Sequence, residues 1–160
     1  NPHPVTDEGR PAVPPDLLTN VLDPISAIAA IGRRIEATGR CDASFGVFDG
    51  RRRYQFKVRD EGEADIGKSG SSPFGGVARK CAFLFENVAG FKVRKDKEPS
   101  EPTRGVAYFR RAEPGAPTMP VKVETKSDYG SVILLLREVQ TIDPEFAQQA
   151  ARKIEGPTPE

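Results

Sequence analysis

The residues whose types and spacing most resemble a reactive site are Gly62-Glu63-Ala64-Asp65-Ile66-Gly67-Lys68-Ser69, which match the phosphate-loop pattern G-x-x-x-x-G-K-[ST] letter for letter. That chemistry needs an apolar strand before the loop and a helix opening at the lysine, so that amides and helix dipole converge on phosphate. Here Arg59-Asp60-Glu61 precede the pattern, Gly70-Ser71-Ser72-Pro73 follow it, and Glu63 and Asp65 would lie against a polyanion. The segment reads as a solvated loop. Asp60, Glu61, Glu63 and Asp65 are hard oxygen ligands, but their spacing is not that of an EF-hand, so no metal is assigned. The sole histidine, His3, stands in the polar lead-in, which leaves the rest of the chain without a His-based triad or zinc cluster. Lys68 and Ser69 are neighbours in a polar loop with nothing to desolvate the amine. No catalytic residue and no cofactor is assigned.

The two cysteines, Cys41 and Cys81, fit either a disulfide or two buried thiols. No Cys-x-x-Cys and no nearby histidine points to a metal or redox centre. A bridge would remove about 4 kcal/mol of unfolded-state entropy and would mark an oxidising compartment. The pair is carried forward as a disulfide.

Positioning elements are legible around these residues. At 160 residues the chain is long enough for one cored domain, and 15 Gly with 15 Pro suit the many turns of a β fold. Residues 1–20 read as a Pro-rich, extended tail or connector. Asp23-Pro24 opens a helix with Ile25, Ile28, Ile31 and Ile35 as its buried stripe and Gly39 as its stop. The period then changes to two. Strands are expected over 44–49 and 52–59, joined by a two-residue type I′ turn at Asp49-Gly50. A charged, then Gly/Ser-rich excursion follows over 60–76, and strands resume over 77–88, 91–93, 104–111 and 119–126, with a charged loop over 94–102. The run 130–140, with Val132–Leu136 unbroken, reads as a central strand. Asp143-Pro144 opens a second, short helix carrying Phe146, Ala147, Ala150, Ala151 and Ile154, and 157–160 is a tail. The expected fold is mainly β: a curved antiparallel meander, barrel-like or half-barrel, of six to seven strands with a helix at each end.

Two candidate surfaces follow. Tyr54, Phe56, Phe83, Phe85, Val106, Tyr108 and Leu134 are expected to form one apolar wall, either a binding face or plain core. Arg51, Arg53, Lys57 and Arg59 form a candidate basic rim, able to hold an anion or lipid headgroup or to blunt a strand edge. The balance of 24 Lys+Arg against 23 Asp+Glu gives a net charge of +1, and with no single-strand stacking platform this argues against nucleic acid. No apolar run approaches the ~20 residues that span a bilayer. Asn1-Pro2-His3-Pro4 carries neither region of a signal peptide, and the chain reads as a trimmed product.

Leu22-Asp23-Pro24-Ile25-Ser26-Ala27, Cys41, Val47-Phe48-Asp49-Gly50-Arg51-Arg52-Arg53-Tyr54, Cys81, Ala89-Gly90-Phe91 and Met119-Pro120-Val121-Lys122-Val123, in that order, resemble the bacterial family known as domain of unknown function 3108. The resemblance implies an exported Gram-negative cell-envelope protein, periplasmic, barrel-like and without assigned activity. It also implies that a first half of strands precedes the Asp-Pro helix and that this chain is a C-terminal portion. The expected function is non-enzymatic: binding or scaffolding a lipid, lipoprotein or other envelope component. The alternative is an interaction module completed by strand addition from a partner chain, a second copy or its own N-terminal half.

Overall fold

Asp23 begins the first long element as the sequence requires. In the computed structural model, which describes residues 10–92, 102–127 and 130–140, its Oδ1 accepts hydrogen bonds from the backbone N–H of Ile25 and Ser26, both at 3.0 Å. Those contacts satisfy two of the orphan donors of helix α1 (Pro24–Thr38). Gly39 closes the helix in the left-handed conformation, φ 72°, its N–H donating to Ile35 O at 2.8 Å.

The buried side of α1 is Ala27, Ile31 and Gly32, with Ile35 packed alongside. Ile25 and Ile28, expected in the same stripe, are 75% and 37% exposed. The helix approaches the sheet at its smallest residue. A Cβ on Gly32 would stand 2.1 Å from Thr118 O, and this contact turns the inward face from the 25/28 side to the 27/31/35 side.

Among the described residues seven strands form one sheet in chain order: β1 (Val21–Leu22), β2 (Ala43–Phe48), β3 (Arg53–Ile66), β4 (Gly76–Ala89), β5 (Thr103–Arg111), β6 (Thr118–Ser127) and β7 (Gly130–Leu135). The fold is thus the expected β meander, with one addition. β1 runs parallel to β2, so the sheet is mixed. Helix α1 packs on both β2 and β6, strands on opposite sides of the sheet's centre, which requires the sheet to curve around it. Among the described residues the sheet does not close into a barrel, and β1 and β7 are its two edges.

Several boundaries differ from the sequence reading. Pro15–Leu18, expected extended, forms one turn of 3-10 helix, because Pro15 at its first position needs no hydrogen-bond donor. The β2–β3 turn has its tip at Gly50-Arg51. Phe48 pairs with Arg53, the Asp49 N–H donates to Arg52 O, and the Asp49 carboxylate accepts from the N–H groups of Arg51 and Arg52. Only Gly50 needs positive φ, so the type I′ assignment fails: the Asp49 side chain does part of the turn's hydrogen bonding.

β3 also continues to Ile66, where an excursion was expected from Asp60. A bulge carries it past the charges: Asp60 opposes Cys81 and Glu63 opposes Arg79, with one extra residue on β3 and Gly62 at φ 85°. The phosphate-loop-like pattern therefore lies largely within a strand. Phe91 and Lys92 are not in a strand, and Val93 with the 94–101 part of the charged loop lies outside the described residues, as does the expected helix from Asp143. The strand from Gly130, expected to be central, is an edge of the sheet among the described residues, paired on one side only, with β6.

The main core gathers under α1: Ala27, Ile31, Val47, Phe56, Val58, Phe109 and the two cysteines, with Tyr54, Phe83 and Phe85 packed against it. Phe56 stacks on Phe85 with ring centroids 4.5 Å apart, and Tyr54 meets Phe85 edge-on at 5.1 Å. A second cluster joins Ile66, Ala78 and Val121 to Phe74, Tyr108 and Leu136.

Candidate interaction edge

The cysteine pair is a disulfide. Cys41 and Cys81, both fully buried, bridge the segment after α1 to the middle of β4, with a Cα–Cα distance of 6.3 Å. The Asp60 carboxylate, its side chain 3% exposed, organises the polar side of this junction. It accepts hydrogen bonds from Cys41 N–H (3.0 Å) and Gly62 N–H (2.9 Å), while Arg79 Nη1 stands 3.5 Å away. Asp42 accepts the Asp60 N–H, and that bond, with Arg40 beside it, holds the Asp42 carboxyl below its usual range. Glu61 is held down by its bond to Lys80, then by Arg59. Asp60, Glu61 and Glu63 are thus spent on ion pairs and backbone contacts.

The expected apolar wall is divided between the two faces of the sheet. Directly opposed residues on neighbouring strands share a face, and Phe83 stands opposite Gly105 while Val106 opposes Ala82 and Tyr108 opposes Lys80. Tyr54, Phe56, Phe83 and Phe85 therefore lie on the helix side, and Val106 and Tyr108 on the other. Gly105 fixes this register: a Cβ there would fall 2.4 Å from the Phe83 ring. Period-two counting along separate strands cannot supply that phase. Leu134, through Val123, Ala107 and Cys81, returns to the helix side but remains 59% exposed.

Packing fills the aromatic part of the wall. The cavity among Ala27, Ile28, Val47, Tyr54, Phe56 and Phe85 holds about 40 Å³, room for about one water and far below the roughly 300 Å³ at which ligand pockets begin. The basic rim is committed internally. The Arg53 guanidinium donates to the carbonyls of Tyr54 and of Leu17 (3.2 Å), Lys57 pairs with Glu86 at 2.8 Å, and Arg59 with Glu61 at 3.0 Å. Arg51 sits at the exposed turn tip with a partner of its own.

Strand β7 differs from all of this. Val132, Ile133 and Leu134 are 38%, 57% and 59% exposed, and they point alternately to both faces. Val132 and Leu134 share the face of Val123, whereas Ile133 shares that of Glu124 and Val106. Exposure on both sides is what a missing neighbour strand leaves. A groove of about 480 Å³ opens at the strand's beginning, bordered by Val106, Glu124, Lys126, Val132 and Ile133. Its acid is occupied: Lys122 Nζ at 2.6 Å and then the Tyr108 hydroxyl, donating at 3.2 Å, hold the Glu124 carboxyl low, while burial and then Glu124 push the Tyr108 hydroxyl up.

The backbone phase of β7 follows from one bond. The Leu136 N–H donates to Val121 O at 2.9 Å, in register with Leu135 opposite Lys122 and Leu134 opposite Val123. In an antiparallel pair, hydrogen-bonded positions alternate. Val132 and Leu134 thus bond inward to β6, and Ser131, Ile133 and Leu135 present N–H and C=O groups outward. The sequence reading expected an edge open to strand addition but did not place it at β7, because the apolar run Val132–Leu136 read as a central strand.

Among the described residues no helix is long and apolar enough to cross a membrane, and no three His, Cys, Asp or Glu side chains gather in a metal-binding group. No family model matches the chain, and no curated protein or solved structure matches it.

Proposed function

We propose that this protein is a non-enzymatic, strand-accepting interaction module of the bacterial cell envelope, and that β7 is its acceptor edge. One observation carries the reading. β7 is a six-residue edge with outward backbone groups at Ser131, Ile133 and Leu135 and with exposed apolar side chains on both of its faces. An incoming extended strand gains main-chain hydrogen bonds along such an edge and packs its alternate side chains on either side. Monomeric proteins ordinarily blunt a long edge with charge or proline. Gly130-Ser131-Val132-Ile133-Leu134-Leu135 contains neither.

A lipid or lipoprotein ligand held between the aromatic wall and the basic rim fits the geometry less well, because the wall is packed and rim residues Arg53, Lys57 and Arg59 are engaged within the chain. The envelope location rests on the oxidised, buried disulfide and on the motif resemblance.

Amide hydrogen exchange tests the acceptor role. Titrating dilute protein with an uncharged, extended hexapeptide of alternating Val and Thr should slow exchange at Ser131, Ile133 and Leu135 and leave Val132 and Leu134, already bonded to β6, unchanged. Unaltered exchange at saturating peptide would overturn the assignment.

A further inference from the structure

The edge is complementary to itself, and resting on the acceptor reading above, we infer that its partner strand is β7 of a second copy of this chain. The backbone phase selects the register. Only residues whose N–H and C=O groups point outward can exchange hydrogen bonds across a new antiparallel ladder, so Ser131, Ile133 and Leu135 must each oppose one of the same three. Setting Ile133 opposite Ile133 of the second copy satisfies all three at once, with Ser131 facing Leu135 on either side. Sliding by two residues loses one of these pairs, and sliding by one presents inward-bonded residues to outward ones.

In this register Val132 stands opposite Leu134 of the second copy in the closer, non-hydrogen-bonded type of pair, twice over, on the helix side of the sheet. The two Ile133 side chains meet on the other side, on the two-fold axis. Each exposed apolar residue of the edge thereby gains an apolar neighbour. No charge lies between Gly130 and Leu136 to oppose the approach of like to like. The contact is the same patch on both copies, so it closes on itself and does not propagate into a fibre. A six-residue edge falls short of the roughly 1,200 Å² that a stable interface buries, so the dimer is weak and grows with concentration.

The full chain tests this by cross-linking and sedimentation. Residues in a hydrogen-bonded antiparallel pair lie about 5.5 Å apart at Cα, within disulfide reach. Ile133→Cys should oxidise to a covalent homodimer, and Val132→Cys alone should not. A mixture of Val132→Cys with Leu134→Cys should form the mixed dimer. Unsubstituted protein should show a monomer–dimer equilibrium in sedimentation velocity, and Leu134→Lys should abolish it. A chain that stays monomeric at millimolar concentration and fails to link through Ile133→Cys overturns the inference while leaving peptide acceptance intact. A dimer that survives Leu134→Lys, or that links as well through Val132→Cys, places the contact elsewhere and also overturns it. Truncation after Gln140 that is needed before any dimer appears would show that residues 141–160 occupy the edge, with the same consequence.

Discussion

The β1 edge of the sheet is short and held by polar contacts, whereas the β7 edge is long and apolar. β1 is two residues long, follows a proline-started 3-10 turn, and lies beside the Arg53 guanidinium that grips Leu17 O. Behind it the disulfide and the Asp60 junction fix the segment after α1 to β4. β7 has six residues, no charge and no proline. The difference teaches that the helix-covered strands hold the fold, while the far edge, the acceptor in the proposal above, contributes little to it.

Substitutions at the two regions should therefore diverge. The largest loss is expected from replacing both Cys41 and Cys81 by Ala, which releases a cross-link spanning 40 residues and should cost about 4 kcal/mol in urea denaturation. Peptide binding at β7, measured under conditions where the variant is folded, should persist. Gly32→Val comes next. Its side chain would collide with Thr118 O, a backbone atom that cannot rotate away, and about 3 kcal/mol should be lost.

A smaller effect is expected at the helix-to-β6 clasp. Glu36 accepts the Thr118 N–H at 2.8 Å and stands 3.4 Å from Arg111; the Thr118 bond first, and Arg111 after it, hold its carboxyl below the usual range. Because the folded value is the lower one, this contribution is complete above the ordinary carboxylate range and disappears as pH falls through the folded value. Thermal unfolding of the protein against Glu36→Gln should separate the two at neutral pH and bring them together in acid. Leu134→Lys should move stability least, within about 0.5 kcal/mol, yet remove strand acceptance. A large destabilisation there would dissolve the contrast between the two regions.

Much of the stable region is written locally. Asp23-Pro24 and Gly39 bracket α1 because caps act within a few residues, and the alternation of Tyr54, Phe56 and Val58 marks their inward face because a strand's period is fixed. The paired cysteines were open to two readings until the fold brought them together. What was not legible depends on relations between distant segments. The register that puts Gly105 beneath Phe83 divides the expected wall, and the approach of Gly32 to Thr118 rotates the helix stripe. Asp49 takes hydrogen bonds a type I′ turn would not need. The rim of Arg53, Lys57 and Arg59 looked available because their acceptors, Leu17 O, Glu86 and Glu61, are recognisable only once the strands pair. The apolarity of Val132–Leu136 suggested a central strand, since hydrophobicity reports that a segment needs cover without saying whether its own chain provides it.

Hydrogen exchange at single-residue resolution along β7, in dilute and in concentrated protein, tests the bare edge most directly. The expected result is alternation: Ser131, Ile133 and Leu135 exchange fast when dilute and slow down as copies pair, while Val132 and Leu134 stay protected throughout. Equal protection at all five positions in dilute protein would mean that the strand already has a neighbour on each side, and the account would be contradicted.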